Sequence, residues 1–507
     1  MESYKLALII KTHEDDDVFL IVRQERPPLF GDEEYDSLLD SDLWDLPSAP
    51  LSFWEDGQKP LDTFAVGLKT AEKFDLAKFD LQSSIRLVLE QTGHDSPDLT
   101  PCKFLKLVEE ASFGPGFVHT VYLSTHLASG SARSRGIGKW VTIEDCFGCA
   151  LNLKPSCFRV GPLVFGGLTN DSHLSRNLSI SVRYQEYPPG IILVPMNSRT
   201  AKPFTTTNLV IVAPEELLAE NDDGRSIVHG DALLVDPGCS TDSHDKLEAI
   251  VATLPKNLII FLTHHHRDHV DGLSVIQKVN PFAILVSHDN TMQHIRKDDW
   301  SCGHTSVAGG ERISVGGQIF EIIYAPGHTD GHMGLHHAAS NSLIVGDHCV
   351  GEGSAALDVK SGNMKEYFST TYSMIEASPN VIIPMHGRPN LWPKNMLCGY
   401  LRNRRSRESA VLRAIVDGNQ TLEEIVARVY AHVDPRIWAF AAANVMLHVQ
   451  HLAVQDKLPP VSLFFVVMRC YVLWNELSMP CLAWQGFSLD LLKKTFNEFA
   501  DRVGTRM

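Results

Sequence analysis

Apolar and polar positions alternate along this chain in ways that predict different elements. Near the start, KLALII and VFLIVRQ flank the acidic stretch THEDDD, which predicts two strands joined by a turn. SSIRLVLEQTGH has apolar residues at three- and four-residue spacing and stops at Gly93, which predicts an amphipathic helix. From about residue 186, short apolar runs recur. The run from Leu258 to Leu262 predicts a buried parallel strand, and DALLV, NSLIV and NVII predict further strands. ERISVGGQIFEIIY predicts a hairpin around Gly316-Gly317. Beyond residue 402 the pattern becomes helical and charged. Leu412, Ile415 and Val416 predict one helix ended by Gly418. Thr421 with Glu424 forms a capping box for a second, and Ala439 to Leu452 predicts a third.

The pattern divides the chain into residues 1–185, 186–400, 401–460 and a tail of 461–507. Within the tail, residues 461–485 (VSLFFVVMRCYVLWNELSMPCLAWQ) show neither helical nor strand periodicity. They are too short and too often interrupted by polar residues for a membrane span. The expectation is an insertion foreign to the fold; the alternative is a dimer-forming or membrane-surface element.

Composition changes this picture little. Lys and Arg number 45 against 61 Asp and Glu, a net charge of -16 that argues against strong non-specific adhesion to nucleic acid or anionic membrane. Ten irregularly spaced cysteines do not suggest a disulfide framework, and Cys146 and Cys149 form a lone CxxC read as a buried pair. The N-terminus has neither the basic segment nor the apolar run of a secretory signal, so the expected location is cytoplasmic, with an organelle left open. No membrane span is expected.

Candidate chemistry concentrates at strand ends. His264 and His266, two apart on extended backbone, point to one side. Asp268 and His269 follow on the turn into a helix expected near Asp271. This H-x-H-x-D-H run offers imidazole and carboxylate ligands suited to zinc, iron or manganese. His328, Asp347 and His386 each follow a later strand, and Asp236 follows DALLV. Ligands gathered beyond the carboxyl ends of strands are what an α/β sheet provides. His265 falls on the opposite side of the extended segment, His348 should point away from the centre, and His332 is read as a surface or supporting residue. There is no G-x-S-x-G elbow and no Walker A loop.

These ordered motifs resemble the metallo-β-lactamase superfamily. The resemblance implies an α/β fold, the four-layer αβ/βα sandwich. It implies two zinc ions per chain, with manganese or iron(II) as alternatives. His264, His266 and His328 would hold one ion and Asp268, His269 and His386 the other. Asp347 would bridge them, and Asp236 would support ligands from behind. The two ions would share a water and generate hydroxide near neutral pH, with Asp268 as a candidate catalytic proton acceptor.

The flanking parts carry their own resemblances. In the first part, paired strands and a helix ending in Arg86, Glu90 and Gly93 resemble a Nudix domain. Leu87 and Gln91 stand where two of the family's glutamates belong, so a degenerate α+β module without Nudix catalysis is expected. Residues 402–458, three helices with a wing expected near Asp456-Lys457, resemble the winged helix of the β-lactamase-like protein 2 group. Thr207-Asn208-Leu209-Val210 resembles that group's opening strand. The resemblance implies single-stranded RNA as substrate, and Arg402, Arg404, Arg405 and Arg407 are candidates to hold its phosphates. A packing role for these arginines is the competing reading. An acyl thioester, as in glyoxalase II enzymes, is the alternative substrate; a scaffold without turnover is the reading from another class. The oligomeric state stays open, with a dimer as one option.

Overall fold

The computed structural model describes residues 2–54, 75–94, 99–114, 116–128, 137–153, 158–169, 183–214, 224–419, 421–434 and 438–459. The apolar segment 461–485 lies outside the described residues. The chain forms two compact units: residues 1–355 with 365–402, and residues 356–364 with 403–507.

Within the first unit, the N-terminal strands build an eight-stranded sheet. Its spine is the parallel pair Glu2–Lys11 and Phe117–His126, in register over ten residues, flanked by Lys103–Glu109 and Val18–Arg23. The expected strand pair around THEDDD is present and antiparallel. The expected helix is Leu81–Thr92, capped by Asp80 at its start and by Gly93 at φ 68° at its end. Its Ile85, Val88 and Leu89 pack on Leu6, Leu8 and Ile10 of the first strand.

Two further sheets follow. One runs His304–Ser306, Ile284–Ser287, Leu258–Phe261, Ala232–Val235, Thr206–Val212, Ile192–Asn197, Gln185–Glu186. Its first four strands are mutually parallel, so Leu258–Phe261 lies in the buried parallel setting its composition predicts. The other runs Ser226–Gly230, Arg312–Val315, Gln318–Tyr324, Met333–His337, Ser342–Ile344, Val381–Ile383, mixing parallel and antiparallel pairs.

Alternation along each strand decides which core a residue joins. Ile259 and Phe261 point inward, with Val235, Phe320 and Leu335 from these two sheets. Leu258 and Ile260 point outward onto the helices His244–Thr253 and Leu273–Val279. The inner core also takes in Ala7, Ile9, Phe19 and Phe113 from the N-terminal part. Each large side chain buried there contributes about 1.5–3 kcal/mol.

In the second unit, helices Leu422–Val429 and Trp438–Val454 pack with Val411, Ala414 and Ile415. The capping box of Thr421 and Glu424 is formed in both directions. The first helix is longer than expected: it runs from Pro393 to Val416 rather than starting near 402. At the expected wing, Asp456 sits in a turn at φ 54°, and no strand follows it among the described residues. No helix among the described residues is long and apolar enough to cross a membrane.

Candidate metal centre

Five strand ends deliver the candidate ligands to one place. Asp236 follows Ala232–Val235, His264 follows Leu258–Phe261, His328 follows Gln318–Tyr324, Asp347 follows Ser342–Ile344 and His386 follows Val381–Ile383. The helix after the histidine run starts earlier than expected. A first turn, Arg267–Val270, already carries Asp268 and His269, and Leu273–Val279 comes after it. His264, His269, His328, Asp347 and His386 are all buried.

Two of the four groups of potential ligand atoms among the described residues together hold all seven candidate ligands. His264, His266, His328 and Asp347 form one, and Asp268, His269 and His386 form the other. His266 Nδ1 lies 3.0 Å from His264 Nε2 and 3.2 Å from His328 Nε2. Asp347 reaches both groups: its Oδ2 is 3.9 Å from His328 Nε2 and 3.5 Å from His269 Nε2, and its Oδ1 is 3.4 Å from His386 Nε2. Asp268 Oδ2 lies 3.4 Å from His386 Nε2. Zinc bonds of about 2.0–2.1 Å in a tetrahedron separate ligand atoms by about 3.3 Å. The spacings fit that demand.

The imidazoles are oriented from behind. Asp236 Oδ2 accepts from His269 Nδ1 at 2.8 Å and from the Thr263 hydroxyl at 2.6 Å. The Thr263 hydroxyl in turn faces His264 Nδ1 at 3.0 Å. His386 Nδ1 donates to the Thr206 carbonyl at 2.9 Å. In each case the outer nitrogen is engaged and Nε2 is left for a ligand bond. Asp236 reaches this position with φ 49°, the left-handed region that L-residues avoid. Gly238 lies so close to the backbone of Asp268 and His269 that a Cβ would collide with it, which explains the glycine of DPG. His269 Nε2 and Asp347 Oδ1 are buried without a hydrogen-bond partner. Orphaned atoms of this kind are costly unless something binds them, and a cation would.

Charge makes the same argument. Burial opposes ionisation of Asp268, yet His269 and His386 hold its carboxyl at about 2. Burial likewise disfavours Asp347, but His386 and His269 keep it well below the ordinary carboxylate range. Burial works against protonated His386, while Asp347 and Asp268 hold it up at about 10. Buried His264, with imidazole neighbours, is pushed well below its ordinary value and stays neutral, as a ligand must. The pocket demands positive charge that divalent ions can supply in place of protons. The donor set therefore fits bound metal.

The neighbouring histidines divide as their spacing suggested. His265 turns away and stacks on His294, with ring centroids 4.1 Å apart. His348 also points away, its Nε2 2.9 Å from the Thr371 hydroxyl and its ring stacked on Tyr367. His332 supports the centre: its Nδ1 faces the Ala325 carbonyl, and its Nε2 accepts the Asp347 N–H at 3.1 Å. Gly346 makes room for that ring, since a Cβ there would collide with it.

The sequence reading missed the supporting roles of Thr263 and Thr206 and took Asn208 only as part of the TNLV strand. Asn208 donates to the carbonyls of Pro384 and Gly387 on either side of His386. Position immediately before a ligand was an available signal for Thr263. For Asn208 the TNLV motif marked the strand but not the contact, and for Thr206, 180 residues before His386, nothing local could have served.

The four arginines do not form one exposed cluster. Arg404 is buried and donates to Asn444 at 3.0 Å. Arg407 donates to the Val429 carbonyl and lies 4.1 Å over the Tyr430 ring. Arg402 and Arg405 are exposed, and the Arg402 guanidinium lies 5.4 Å over Phe30. In the N-terminal part Glu90 is exposed, and no group of potential metal ligands among the described residues includes it. Gln91 instead bonds the backbone of Ser48 through both ends of its amide. Cys146 and Cys149 are buried one turn apart on the helix Ile143–Ala150.

Comparison with known proteins gives concordant results. The β-lactamase-like protein 2 homolog of Drosophila melanogaster is 27% identical over 211 residues, 39% of this chain and 69% of that protein. A hydroxyacylglutathione hydrolase of Pseudomonas paraeruginosa is 32% identical over 113 residues, 22% of this chain and 39% of that protein. The crystal structure of a β-lactamase domain protein from Burkholderia ambifaria superposes with a TM-score of 0.46 at 18% identity, covering 54% of this chain and 88% of that one. Residues 227–386 match the metallo-beta-lactamase superfamily model, and residues 421–458 match the beta-lactamase associated winged helix domain. Residues 227–386 thus form a metallo-β-lactamase superfamily domain, and a β-lactamase-associated winged helix domain follows it at residues 421–458.

Proposed function

We propose that this protein is a hydrolase working with two divalent metal ions, zinc first among them, at the centre formed by His264, His266, Asp268, His269, His328, Asp347 and His386. The carrying observation is the convergence of these seven side chains, with Asp347 within 4 Å of histidines from both groups. His264, His266 and His328 would hold one ion and Asp268, His269 and His386 the other, with Asp347 within reach of both groups. Bound there, two such ions supply Lewis acidity and lower the pKa of a shared water toward neutrality. The chain's own residues do the rest. Asp236 and Thr263 fix the rings of His269 and His264, the Thr206 carbonyl fixes that of His386, and Asp268 accepts a proton from the attacking water.

RNA phosphodiesters are the first substrate class, following the resemblance of the winged helix and the TNLV strand to the β-lactamase-like protein 2 group. The name of the bacterial relative, a hydroxyacylglutathione hydrolase, favours thioesters as the second reading. A side-by-side assay of zinc- and manganese-loaded protein on single-stranded RNA and on an acyl-glutathione thioester separates the two. Chelation should abolish whichever activity is found; full activity in chelator, with no metal bound, overturns the proposal. On the RNA reading, Arg402→Ala and Arg405→Ala should each lower the salt slope of binding by roughly 0.7 per lost phosphate contact. An unchanged slope in both variants points to the thioester.

A further inference from the structure

A loop of the N-terminal part reaches the edge of the metal centre. It joins the strands Lys103–Glu109 and Phe117–His126, and it meets the lactamase domain beside His386. Arg388, two residues beyond that histidine, is half-buried against it. Its Nε donates to Glu110 Oε2 at 2.5 Å, and its terminal nitrogens donate to the carbonyls of Gly114 at 3.3 Å and Gly116 at 3.0 Å. The same loop has a second hold. The Ser112 carbonyl accepts the Thr206 hydroxyl at 3.3 Å, and the Thr206 carbonyl is what orients His386 Nδ1. Phe113 between these contacts is fully buried in the core shared by the N-terminal and lactamase sheets.

The turn at His386 leaves little play of its own. Gly387 takes φ 86°, which directs the chain away from the centre into Arg388. A Cβ at Gly387 would press on Gly351, whose N–H donates to the His386 carbonyl at 2.7 Å. A guanidinium with three partners on one loop is a planar fork fixed in direction, not a loose surface ion pair. Burial disfavours the charged Glu110 carboxylate, and the Arg388 guanidinium facing it works against that shift.

We infer that Arg388 and Glu110 are positioning residues for the second metal position, and that the N-terminal part serves the lactamase centre as a brace that holds the His386 turn. This rests on the metal-centre reading above. The module lacks the carboxylates of a working Nudix helix, but its loop holds both Arg388, beyond His386, and Thr206, behind the His386 ring. His386 Nε2 must meet Asp268 and Asp347, and a turn released by a few tenths of an ångström would loosen one ligand of the second ion while leaving His264, His266 and His328 in place.

The test is a zinc titration of the full-length, metal-stripped protein and its Arg388→Ala, Arg388→Lys and Glu110→Gln variants, with thermal midpoints measured alongside. In the wild type two ions should bind. In Arg388→Ala the first should bind as in the wild type and the second roughly 10–100-fold more weakly, the usual loss when a supporting partner is removed. Arg388→Lys keeps the charge facing Glu110 but not the fork to Gly114 and Gly116, so it should fall between. Glu110→Gln changes no bond to the turn itself and decides the matter if Arg388→Ala does not fold; its second affinity should also fall. Unchanged second-ion affinity in a folded Arg388→Ala or Glu110→Gln overturns the brace. So does an equal loss at both positions, which would mark a general scaffold. A wild type that binds no zinc overturns the metal centre itself, and the brace with it.

Discussion

Two clusters in this protein set a buried carboxylate among imidazoles, and they differ in kind. At the strand ends, Asp347 lies among His269, His328 and His386, and its carboxylate Oδ1 is buried without a hydrogen bond. In the winged-helix unit, Glu408 on the helix Pro393–Val416 faces His451 Nδ1 at 2.6 Å and His448 Nδ1 at 3.5 Å on the helix Trp438–Val454. Arg404, one turn before Glu408, is tied to Asn444 one turn before His448. No potential metal group among the described residues includes Glu408, His448 or His451. The difference lies in how the chain delivers its groups. Strand ends from separate parts of the sequence can aim several lone pairs at one point. Two packed helices place their side chains along a seam, where each carboxylate finds a hydrogen bond and closes on it.

The sharpest way to break this comparison is to remove carboxylates from the two clusters in turn. Asp268→Ala should have the largest effect, loss of one ion and a fall in turnover beyond the roughly 10–100-fold expected for an outer support such as Asp236→Ala. Metal analysis and rate measurements on both variants check the order; equal, near-zero effects would contradict the assignment. Glu408→Gln should leave metal content and turnover unchanged, yet destabilise the winged-helix unit by about 1–3 kcal/mol near neutral pH, because His451 loses a charged partner. The sign with pH follows. Burial tends to raise the Glu408 carboxyl, but hydrogen bonds from His448 and His451 outweigh it and lower it below 4.5. Its stabilisation is therefore full above pH 4.5 and disappears as pH falls below that value. Denaturant unfolding of wild type and variant should converge in acid; a gap that persists there would refute the pairing. The smallest effect belongs to Glu90→Gln. That exposed residue belongs to no ligand group, so stability should change by less than about 0.5 kcal/mol and hydrolysis not at all. A lost diphosphate-cleaving activity in this variant would reinstate the Nudix reading.

The arginines show where local reading stops. RNRRSR reads as one basic patch, because spacing along a chain reports charge density but not direction. On a helix those positions point different ways. Arg404 is buried and Arg407 half-buried against neighbouring helices, and Arg402 and Arg405 are exposed. The histidines were more legible because a strand end constrains direction. Two-residue alternation was enough to separate His264 and His266 from His265.

The candidate ligand types, their order and their placement after apolar runs were legible in the chain alone, because strand periodicity and the ends of strands are local properties. So were the helix Leu81–Thr92 and the capping box at Thr421, where the caps are neighbours of what they cap. Only the tertiary structure decided what stands behind the ligands. The Thr206 carbonyl on His386, Asn208 across its turn, His332 beneath Asp347 and the Arg388 contact with Glu110 join residues from 15 to 278 positions apart. Such pairs exist because three sheets share one apolar core, and the packing of that core, rather than any motif, sets which backbone carbonyl or carboxylate a side chain meets.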